Sequence, residues 1–432
     1  MAAVNILVIT DLAATGFGRV GRELGARFLA AGHDARFIGI NFRGRAGEAQ
    51  AMLARYAGAQ EVADFLQRFD ADPFNSLIPA GDKSVPRTIP AQAGGDPMGH
   101  ALAQPAVDGT LWPGWKPDRV IVVADPRAMA QRQVSSGGAF DRVRTYNYVP
   151  IEGAGLPPCW QSMWQNVQPI AMSAFGQTQL QDLLGRPVPN IPHGVSPQYH
   201  AVSDVRPGNH RGQPIRSKTE AKRAFGLEGR LVLLRVDRFV PRKNYSALLR
   251  TILPVLDAHP EAVLVIHAAP VDEGGLMAEL ICRMPGSFEV GTQWRHPQVR
   301  FTGGHDTFQG YSDDMLNVLY NAADIYVSPT KSEGFGLCLA EAASCGVPVV
   351  TTDYAAGPEA VGPGALLVPA LTYTSATDTL PWAEVDEREF AQAVARLADD
   401  PELRKSIGEA GRKHVAQFSW DACAEEFLRV MA

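Results

Sequence analysis

The stretch Asp324–Val350, DIYVSPTKSEGFGLCLAEAASCGVPVV, contains one full cycle of strand, loop, helix and strand. DIYVS is a short apolar run typical of a buried strand, and VPVV predicts the next strand. Between them, Gly334 and Gly336 open an apolar stretch long enough for a short helix. A strand followed by a helix and a second strand predicts a βαβ unit, in which the two strands are parallel.

The same alternation of strand and helix extends in both directions from this stretch. The predicted strands are Val4–Thr10, Ala35–Ile40, Arg119–Ala124, Thr145–Val149, Ile170–Ser173 and Val188–Pro192, then Leu231–Val236, Ala262–His267, Val299–Thr302, Asp324–Ser328, Val347–Thr352 and Ala365–Val368. They predict an α/β fold with two Rossmann-like, doubly wound domains facing a deep cleft. Ligands of such folds bind beyond the carboxyl ends of the strands, so functional side chains are expected there.

The polar stretch Ser203–Lys218 reads as a linker and sets the predicted domain bounds. Residues 1–200 form the first domain and residues 201–416 the second, followed by an amphipathic helix at 417–432. Residues 73–117 contain eight Pro and six Gly with little periodicity. A loop of that length is unusual inside a compact domain, so we interpret it as an irregular insertion or a lid.

Composition excludes several classes of protein. The chain has 432 residues, 46% of them hydrophobic, which excludes disorder as the default state. A net charge of −6 disfavours nucleic acid as a partner. Five widely spaced cysteines without a Cys-x-x-Cys pair favour a reduced, cytoplasmic setting. Arg19, Arg22 and Arg27 on the first predicted helix allow at most weak association with an anionic membrane surface, and a solvated helix face is the simpler interpretation.

The first candidate phosphate loop is Gly16-Phe17-Gly18-Arg19-Val20-Gly21, at the start of a predicted helix. Such glycines let backbone N–H groups approach a diphosphate. A nicotinamide cofactor would also require an acid at the end of the second strand, which instead ends near Asn41. An NAD(P)-dependent oxidoreductase is therefore the weaker alternative.

The second candidate is the loop Glu333-Gly334-Phe335-Gly336-Leu337, which leads into the helix that carries Glu341. The helix N-terminus points free N–H groups at an anion. Carboxylates at positions 333 and 341 are just over two turns apart and can accept hydrogen bonds from hydroxyl groups of one ligand. The alternative is that Glu333 is a first-turn acid and Glu341 a solvated helix residue.

Cations follow the predicted strand Leu231–Val236. Arg238 and Lys243 lie where this strand gives way to a helix, and such groups stabilise negative charge on a departing diphosphate. A basic surface loop is the competing interpretation, and it suits Arg242 better than Lys243.

Together these motifs resemble a retaining GT-B glycosyltransferase of glycosyltransferase family 4. The resemblance depends on Glu333-x7-Glu341 within EGFGLCLAEAASCGVPVV, on Arg238 with Lys243-Asn244, and on Ile191-Pro192-His193-Gly194-Val195. It covers nearly the whole chain, although the N-terminal half matches only in outline, and it implies that the helix at 417–432 crosses back to the N-terminal domain.

The resemblance implies a nucleotide-diphosphate-sugar donor, transfer with retention of anomeric configuration, no cofactor and no metal. Glu341 would bind the ribose and Glu333 the hydroxyls of the donor sugar, while Arg238 and Lys243 hold the diphosphate. The remaining implied donor contacts are the backbones of Gly334, Phe335, Gly336 and Leu337, together with Gly16 and Gly18. The triplet Asp70-Ala71-Asp72 could mimic a metal motif, but in its irregular stretch it reads as a turn.

The sequence indicates less about the residues that bind the acceptor. Asp125 stands where many relatives of this type have a catalytic His, and it is either a functional carboxylate or a helix cap. Glu152 and His193 are the other acceptor-side candidates, with structural roles as their alternatives. The acceptor is a small sugar, lipid, polysaccharide or protein, and nucleic acid is less favoured. A binding protein on the same fold that has lost catalysis is a third hypothesis.

Overall fold

A computed structural model of the chain describes residues 3–11, 16–40, 87–90, 100–112, 114–202, 214–290, 293–302, 311–374 and 379–432. Two compact units are formed. Unit 1 comprises the chain up to Ile151, Leu156–His193 and Trp420–Ala432, and unit 2 comprises Glu152–Gly155 and Gly194–Ser419. Asp70-Ala71-Asp72 and most of the predicted insertion 73–117 lie outside the described residues.

The helices of the described ranges are numbered here in chain order. They are α1 Gly16–Ala30, α2 His100–Asp108, α3 Pro126–Ser135, α4 Ala174–Leu184, α5 Lys218–Ala224, α6 Tyr245–Ala258, α7 Met277–Ile281, α8 Asp313–Ala322, α9 Leu337–Ser344, α10 Gly357–Val361, α11 Glu387–Asp399, α12 Pro401–Val415 and α13 Trp420–Met431. None of these helices is long and apolar enough to cross a bilayer.

Unit 1 is built on a sheet of six parallel strands in the order β3-β2-β1-β4-β5-β6. The strands are β1 Asn5–Asp11, β2 Asp34–Ile40, β3 Arg87–Pro90, β4 Arg119–Val123, β5 Arg144–Val149 and β6 Val167–Ala171. The central strands β1 and β4 are buried almost throughout, as expected for a parallel sheet that is covered on both faces.

Unit 2 repeats this plan with the parallel order β13-β8-β7-β14-β15-β16. These strands are β7 Leu231–Val236, β8 Ala262–His267, β13 Val299–Phe301, β14 Ile325–Ser328, β15 Val349–Thr352 and β16 Ala365–Val368. Three antiparallel hairpins, which the sequence did not predict, lie outside the sheet: β9 Val271–Asp272 with β10 Gly275–Leu276, β11 Phe288–Val290 with β12 Gln293–Arg295, and β17 Ala370–Tyr373 with β18 Trp382–Val385.

The predicted strand Val188–Pro192 is wrong. Only a single bridge, between Ala171 and Asn190, joins this segment to β6. Pro187, Pro189 and Pro192 have no N–H to donate, so the segment cannot form a regular ladder.

The last helix, α13, belongs to unit 1 although the chain reaches it from unit 2. Its Phe427 is fully buried and packs edge-to-face against Tyr148, with ring centroids 4.9 Å apart, and against Phe28 at 6.3 Å. On α1, Arg27 pairs with Glu23 and with Asp421 at 2.6 Å each. Arg27 is therefore engaged in ion pairs within unit 1.

Candidate functional site

The site lies where the strand order of the unit 2 sheet reverses. Strands β7 and β14 are neighbours at the centre of this sheet. The next strand is β8 on the side of β7 and β15 on the side of β14. Ligands of doubly wound sheets bind at such a reversal, beyond the carboxyl ends of the strands. The segments that follow the two strands are 237–244 and 329–336, which contain the cations and the glycine loop singled out in the sequence.

Backbone contacts hold these two segments together. Pro241–Lys243 forms a short 3-10 turn that Asn244 ends in the left-handed conformation, at φ 54°. The Lys331 N–H donates to the Arg242 carbonyl oxygen at 2.9 Å, and the Ala356 N–H donates to that of Glu333 at 3.2 Å. The glycine loop is thus fixed against the turn that carries Lys243.

The side chains of Lys243 and Glu333, which the sequence analysis assigned to one site, are in contact, and both are buried. The ammonium nitrogen of Lys243 lies 2.7 and 3.0 Å from Oε1 and Oε2 of Glu333, and 2.9 Å from Oδ2 of Asp237. Its three N–H groups therefore face three carboxylate oxygens from two residues.

These contacts extend into a charge chain, which we define as the six side chains of alternating sign Glu152, Arg242, Glu333, Lys243, Asp237 and Arg235. The successive nitrogen–oxygen distances are 3.1, 3.3, 2.7, 2.9 and 3.2 Å. The Glu152 side chain is 33% exposed, whereas that of Arg235 is fully buried. The charge chain is neutral overall and runs from solvent into the protein.

Burial and charge act in opposite directions on Glu333. Burial alone would raise the pKa of this carboxyl, but the ammonium of Lys243 and the guanidinium of Arg242 lower its pKa to about 2. Glu333 is consequently an anion at neutral pH and acts only as a hydrogen-bond acceptor.

Helix α9 begins at the glycine loop. Gly336 has φ 100° and precedes the first helical residue, Leu337, and no side chain caps this end of the helix. A Cβ at Gly336 would lie 3.0 Å from Cδ1 of Leu339. The N–H groups of the first turn have no partners inside an α-helix, so this end suits an anion.

Glu341 is buried on α9, only 3% exposed. Its Oε2 accepts a hydrogen bond from the Tyr320 hydroxyl at 2.8 Å. The interpretation of Glu341 as a solvated helix residue is wrong, and Tyr320 is a partner that a buried acid requires.

The Arg238 side chain pairs with two acidic residues other than Glu333 and Glu341. Its guanidinium forms a two-pronged contact with Asp272, at 2.8 and 3.1 Å, and a further one with Glu273 at 2.9 Å. The side chain is 44% exposed. Its role with a diphosphate stays a prediction, and it would require exchange of these carboxylates for phosphate.

Arg242 is not the solvated residue that the competing interpretation, a basic surface loop, implies. It is 24% exposed and contacts both Glu152 and Glu333. Two further members of the charge chain, Asp237 and Arg235, were also missed. An Arg inside the apolar run LVLLRV was the available signal, because a charge in a buried strand needs a partner.

On unit 1, Gly16 and Gly18 lie in the first turn of α1, which begins at Gly16. Residues 12–15, before it, lie outside the described residues. Gly21, the third glycine of the motif, has a packing reason: a Cβ there would lie 2.4 Å from Cγ2 of Thr10. The contact of Gly16 and Gly18 with phosphate stays a prediction.

Asp125 caps α3. Its Oδ1 accepts a hydrogen bond from the Ala128 N–H at 3.0 Å, and Pro126 is the first helical residue. This geometry is that of the helix-cap alternative. A catalytic role for this carboxylate stays a prediction.

His193 is a packed residue of unit 1. Its Nδ1 lies 2.7 Å from the Tyr148 hydroxyl, and its ring stacks at a tilt on Trp420. Burial lowers its pKa to about 3, so the ring is neutral at ordinary pH. These contacts with Tyr148 and Trp420 give His193 a structural role within unit 1.

Glu152 belongs to unit 2, whereas the sequence placed it in the N-terminal domain. The Ser332 hydroxyl donates to its carbonyl oxygen, and Arg242 contacts its carboxylate. These bonds attach the loop that follows β5 to the donor-side segments.

Neither metal ligands nor an activated thiol stand out in the described ranges. There, no group of three or more His, Cys, Asp or Glu side chains is placed to hold a metal ion. Burial raises the pKa of the Cys338 thiol well above its usual range, in keeping with a packed rather than a nucleophilic role.

Comparison with known proteins now gives the class of this domain. Residues 230–400 match the family model described as glycosyl transferases group 1. The resemblance to glycosyltransferases is therefore confirmed for the domain that carries Lys243, Glu333 and Glu341. The match is consistent with glycosyltransferase family 4.

Two curated relatives resemble this chain in sequence. A D-inositol 3-phosphate glycosyltransferase of Corynebacterium jeikeium is 29% identical over 271 residues, which are 62% of this chain and 58% of that protein. A GDP-mannose-dependent monoacylated alpha-(1-6)-phosphatidylinositol monomannoside mannosyltransferase of Corynebacterium glutamicum is 29% identical over 203 residues, 45% of each chain. The chain thus spans about half the length of the curated relatives that it matches.

Solved structures resemble nearly the whole chain. Sucrose-phosphate synthase of Thermosynechococcus elongatus has a TM-score of 0.66 and 17% identity, covering 99% of this chain and 98% of that one. Anabaena HepE in complex with UDP and glucose has a TM-score of 0.62 and 15% identity, covering 99% of both chains. These likenesses confirm the predicted fold class, with two Rossmann-like domains as in GT-B proteins.

Proposed function

We propose that the protein is a retaining glycosyltransferase that moves a sugar from a nucleotide-diphosphate-sugar to an acceptor hydroxyl without a metal. The observation that carries the proposal is the buried Lys243–Glu333 pair at the strand reversal of a glycosyl transferases group 1 domain. Next to it, α9 offers its N-terminus and Glu341. These groups match three parts of one donor: the diphosphate, the sugar hydroxyls and the ribose.

The proposed roles follow from charge. Lys243 and the first turn of α9 bind the diphosphate, with Arg238 joining them after it leaves Asp272 and Glu273. When the bond between the sugar C1 and the phosphate oxygen breaks, negative charge develops on that oxygen, and fixed cations stabilise it. The acceptor oxygen attacks C1 from the same face, and its proton passes to the departing phosphate.

The names of the relatives guide the choice of substrates to test. They include GDP-mannose as a donor and inositol 3-phosphate as an acceptor, and one solved relative holds UDP and glucose. We infer that the donor is a UDP- or GDP-sugar, and the acceptor stays open among small sugars, lipids, polysaccharides and proteins. Cytoplasmic location and weak membrane association stay predictions.

A nucleotide panel tests the proposal. Thermal shifts with UDP, GDP, ADP and NAD should show stabilisation by a nucleoside diphosphate, and the matching nucleotide-sugar should be hydrolysed slowly or transferred. Stabilisation by NAD alone would establish the oxidoreductase instead. Binding of a nucleoside diphosphate without any hydrolysis or transfer, across UDP- and GDP-sugars and acceptors of each class, would favour the inactive binding protein. Proton NMR of the product anomer tests retention, and EDTA treatment tests independence of metal.

A further inference from the structure

Lys243 faces competing demands in the proposed reaction. Its three N–H groups already face three oxygens, two from Glu333 and one from Asp237, at 2.7 to 3.0 Å. Binding of a diphosphate must take at least one of these N–H groups. Glu333 then shares its nearest cation with phosphate while it has to remain an anion that accepts from the donor sugar.

Arg242 is the second cation on Glu333. Its Nη1 lies 3.3 Å from Oε2 of Glu333 and donates to the Ser332 carbonyl oxygen at 2.9 Å, while Nη2 lies 3.1 Å from Oε1 of Glu152. A guanidinium presents its N–H donors in a rigid plane, so the three acceptors around Arg242 fix its orientation. Glu152 therefore sets the direction in which the guanidinium points.

The loop that supplies Glu152 is held in place. A Cβ on Gly153 would lie 2.7 Å from Cβ of Leu380 and 2.8 Å from the Pro381 carbonyl oxygen, so only glycine allows this approach. The Ala154 N–H donates to the Tyr354 hydroxyl at 3.2 Å. Glu152 thus presents its carboxylate to Arg242 from a fixed backbone.

We propose that Arg242, oriented by Glu152, is a positioning residue that holds the Glu333 carboxylate ionised and in place when Lys243 turns to the diphosphate of the donor. The inference rests on the proposed function. Arg242 acts through Glu333, which faces the sugar, so its loss impairs use of a nucleotide-sugar and spares binding of the nucleoside diphosphate alone.

The proposal gives a sign for the pH dependence. Glu333 faces Lys243 and Arg242 from the 241–243 turn, Arg235 from β7 and Cys338 from α9. Removing Arg242 takes away one cation that lowers the pKa of Glu333, so this pKa rises and activity declines at a higher pH on the acidic side. Glu152→Gln keeps the Arg242 charge beside Glu333, so the acidic limb should stay in place, but kcat/KM should fall because the guanidinium is no longer oriented.

The test compares Arg242→Gln, Arg242→Lys and Glu152→Gln, with Arg250→Gln as a matched control at an exposed pair with Glu387. For Arg242→Gln we expect kcat/KM for the nucleotide-sugar to fall about tenfold or more, the scale of one lost charge-assisted hydrogen bond. The Kd of UDP or GDP by calorimetry should change less than about threefold, which is within roughly 0.7 kcal/mol. The acidic limb should move to higher pH, and Arg242→Lys should restore part of the loss.

Two results would overturn the proposal. If Arg242→Gln behaves like Arg250→Gln in kinetics and pH profile, Arg242 has no positioning role. If Arg242→Gln weakens binding of UDP or GDP as much as it lowers kcat/KM for the nucleotide-sugar, Arg242 binds phosphate itself. A wild-type protein that uses no nucleotide-sugar contradicts the proposed function instead. In that case a double-mutant cycle of Arg242→Gln with Glu333→Gln, evaluated from unfolding free energies, measures the coupling of the two side chains independently of activity.

Discussion

At the scale of residues, Lys243 combines a structural and a proposed functional role. Lys243→Ala leaves Glu333 and the partly buried Asp237 without their shared cation. Arg242 and Arg235 still pair with these two carboxylates. The loss of unfolding free energy should therefore be at most the roughly 3–5 kcal/mol of an unpaired buried charge. The substitution should also lower donor use about 10²–10³-fold, because a fixed charge at the diphosphate is lost. Urea unfolding and initial rates, both well below the melting temperature, measure the two effects.

A second substitution separates these two roles of Lys243. In Lys243→Ala with Asp237→Asn, one of the two carboxylate charges that lose Lys243 is also gone while Glu333 is kept, so part of the stability should return while activity stays low. Return of activity together with stability would mean that Lys243 serves folding alone.

Glu341 permits a sharper test, because its proposed partner is the ribose of the nucleotide, whose hydroxyls can be removed one at a time. The wild-type protein should bind a ribonucleoside diphosphate more tightly than its 2′-deoxy analogue, and Glu341→Gln should lose most of this preference. Tyr320→Phe removes the hydroxyl that donates to Glu341 and serves as the control, since it leaves the carboxylate in place. Calorimetry of UDP and dUDP, or GDP and dGDP, with the three proteins measures the preference. An unchanged preference in Glu341→Gln would place the ribose elsewhere.

Sequence position predicted that Lys243 and Glu333 belong to one site, because both follow strands of a parallel sheet whose carboxyl ends share one edge, but it did not predict their direct contact. It selected Arg238 for the site and considered a basic surface loop a fair alternative for Arg242. The two lie four residues apart in one loop, and a 3-10 turn at 241–243 directs Arg242 toward Glu333 while Arg238 reaches Asp272. The direction of a side chain in such a turn depends on tertiary contacts that composition and spacing do not contain.

At the scale of elements, α9 has glycines of positive φ at both ends. Gly336, φ 100°, precedes it, and Gly346, φ 76°, follows it with nothing within 4 Å of an added Cβ. Alanine at either position should cost about 1–2 kcal/mol through the left-handed backbone. Only Gly336→Ala should also weaken nucleoside diphosphate binding, because it disturbs the N–H groups that begin the helix.

Binding of UDP or GDP by calorimetry, alongside thermal melts, compares these two matched variants. Equal affinities in Gly336→Ala and Gly346→Ala would argue that the start of α9 does not contact the diphosphate.

The strands show where the sequence is informative about elements. Leu231–Val236, Ala262–His267 and Ala365–Val368 were predicted with their observed ends, since apolar runs between turn residues mark buried parallel strands. The hairpin strands β9, β10, β11 and β17 were missed because they are short and largely exposed, so no buried face imposes an alternating pattern.

At the scale of the whole molecule, the chain divides its residues between two units with the same strand order, and it does so discontinuously. The loop 152–155 joins unit 2 from within the first half, and Trp420–Ala432 joins unit 1 from the end of the second. Each unit has its own parallel sheet and its own buried side chains, so we expect each to unfold as a unit of its own. The last helix should then affect the stability of the first unit.

Phe427→Ala tests this assignment. Phe427 is fully buried against Tyr148 and Phe28, and its truncation should cost roughly 3–5 kcal/mol. Calorimetric unfolding with and without UDP or GDP identifies the unit 2 transition as the one that the nucleotide raises, because a ligand stabilises the fold that it binds. Phe427→Ala should lower the other transition and leave the nucleotide-sensitive one in place. Leu428→Ala, at a partly exposed neighbour on α13, is the control and should shift neither by more than about 1 kcal/mol. If Phe427→Ala lowers both transitions equally, the two units unfold together and the last helix stabilises the molecule as a whole.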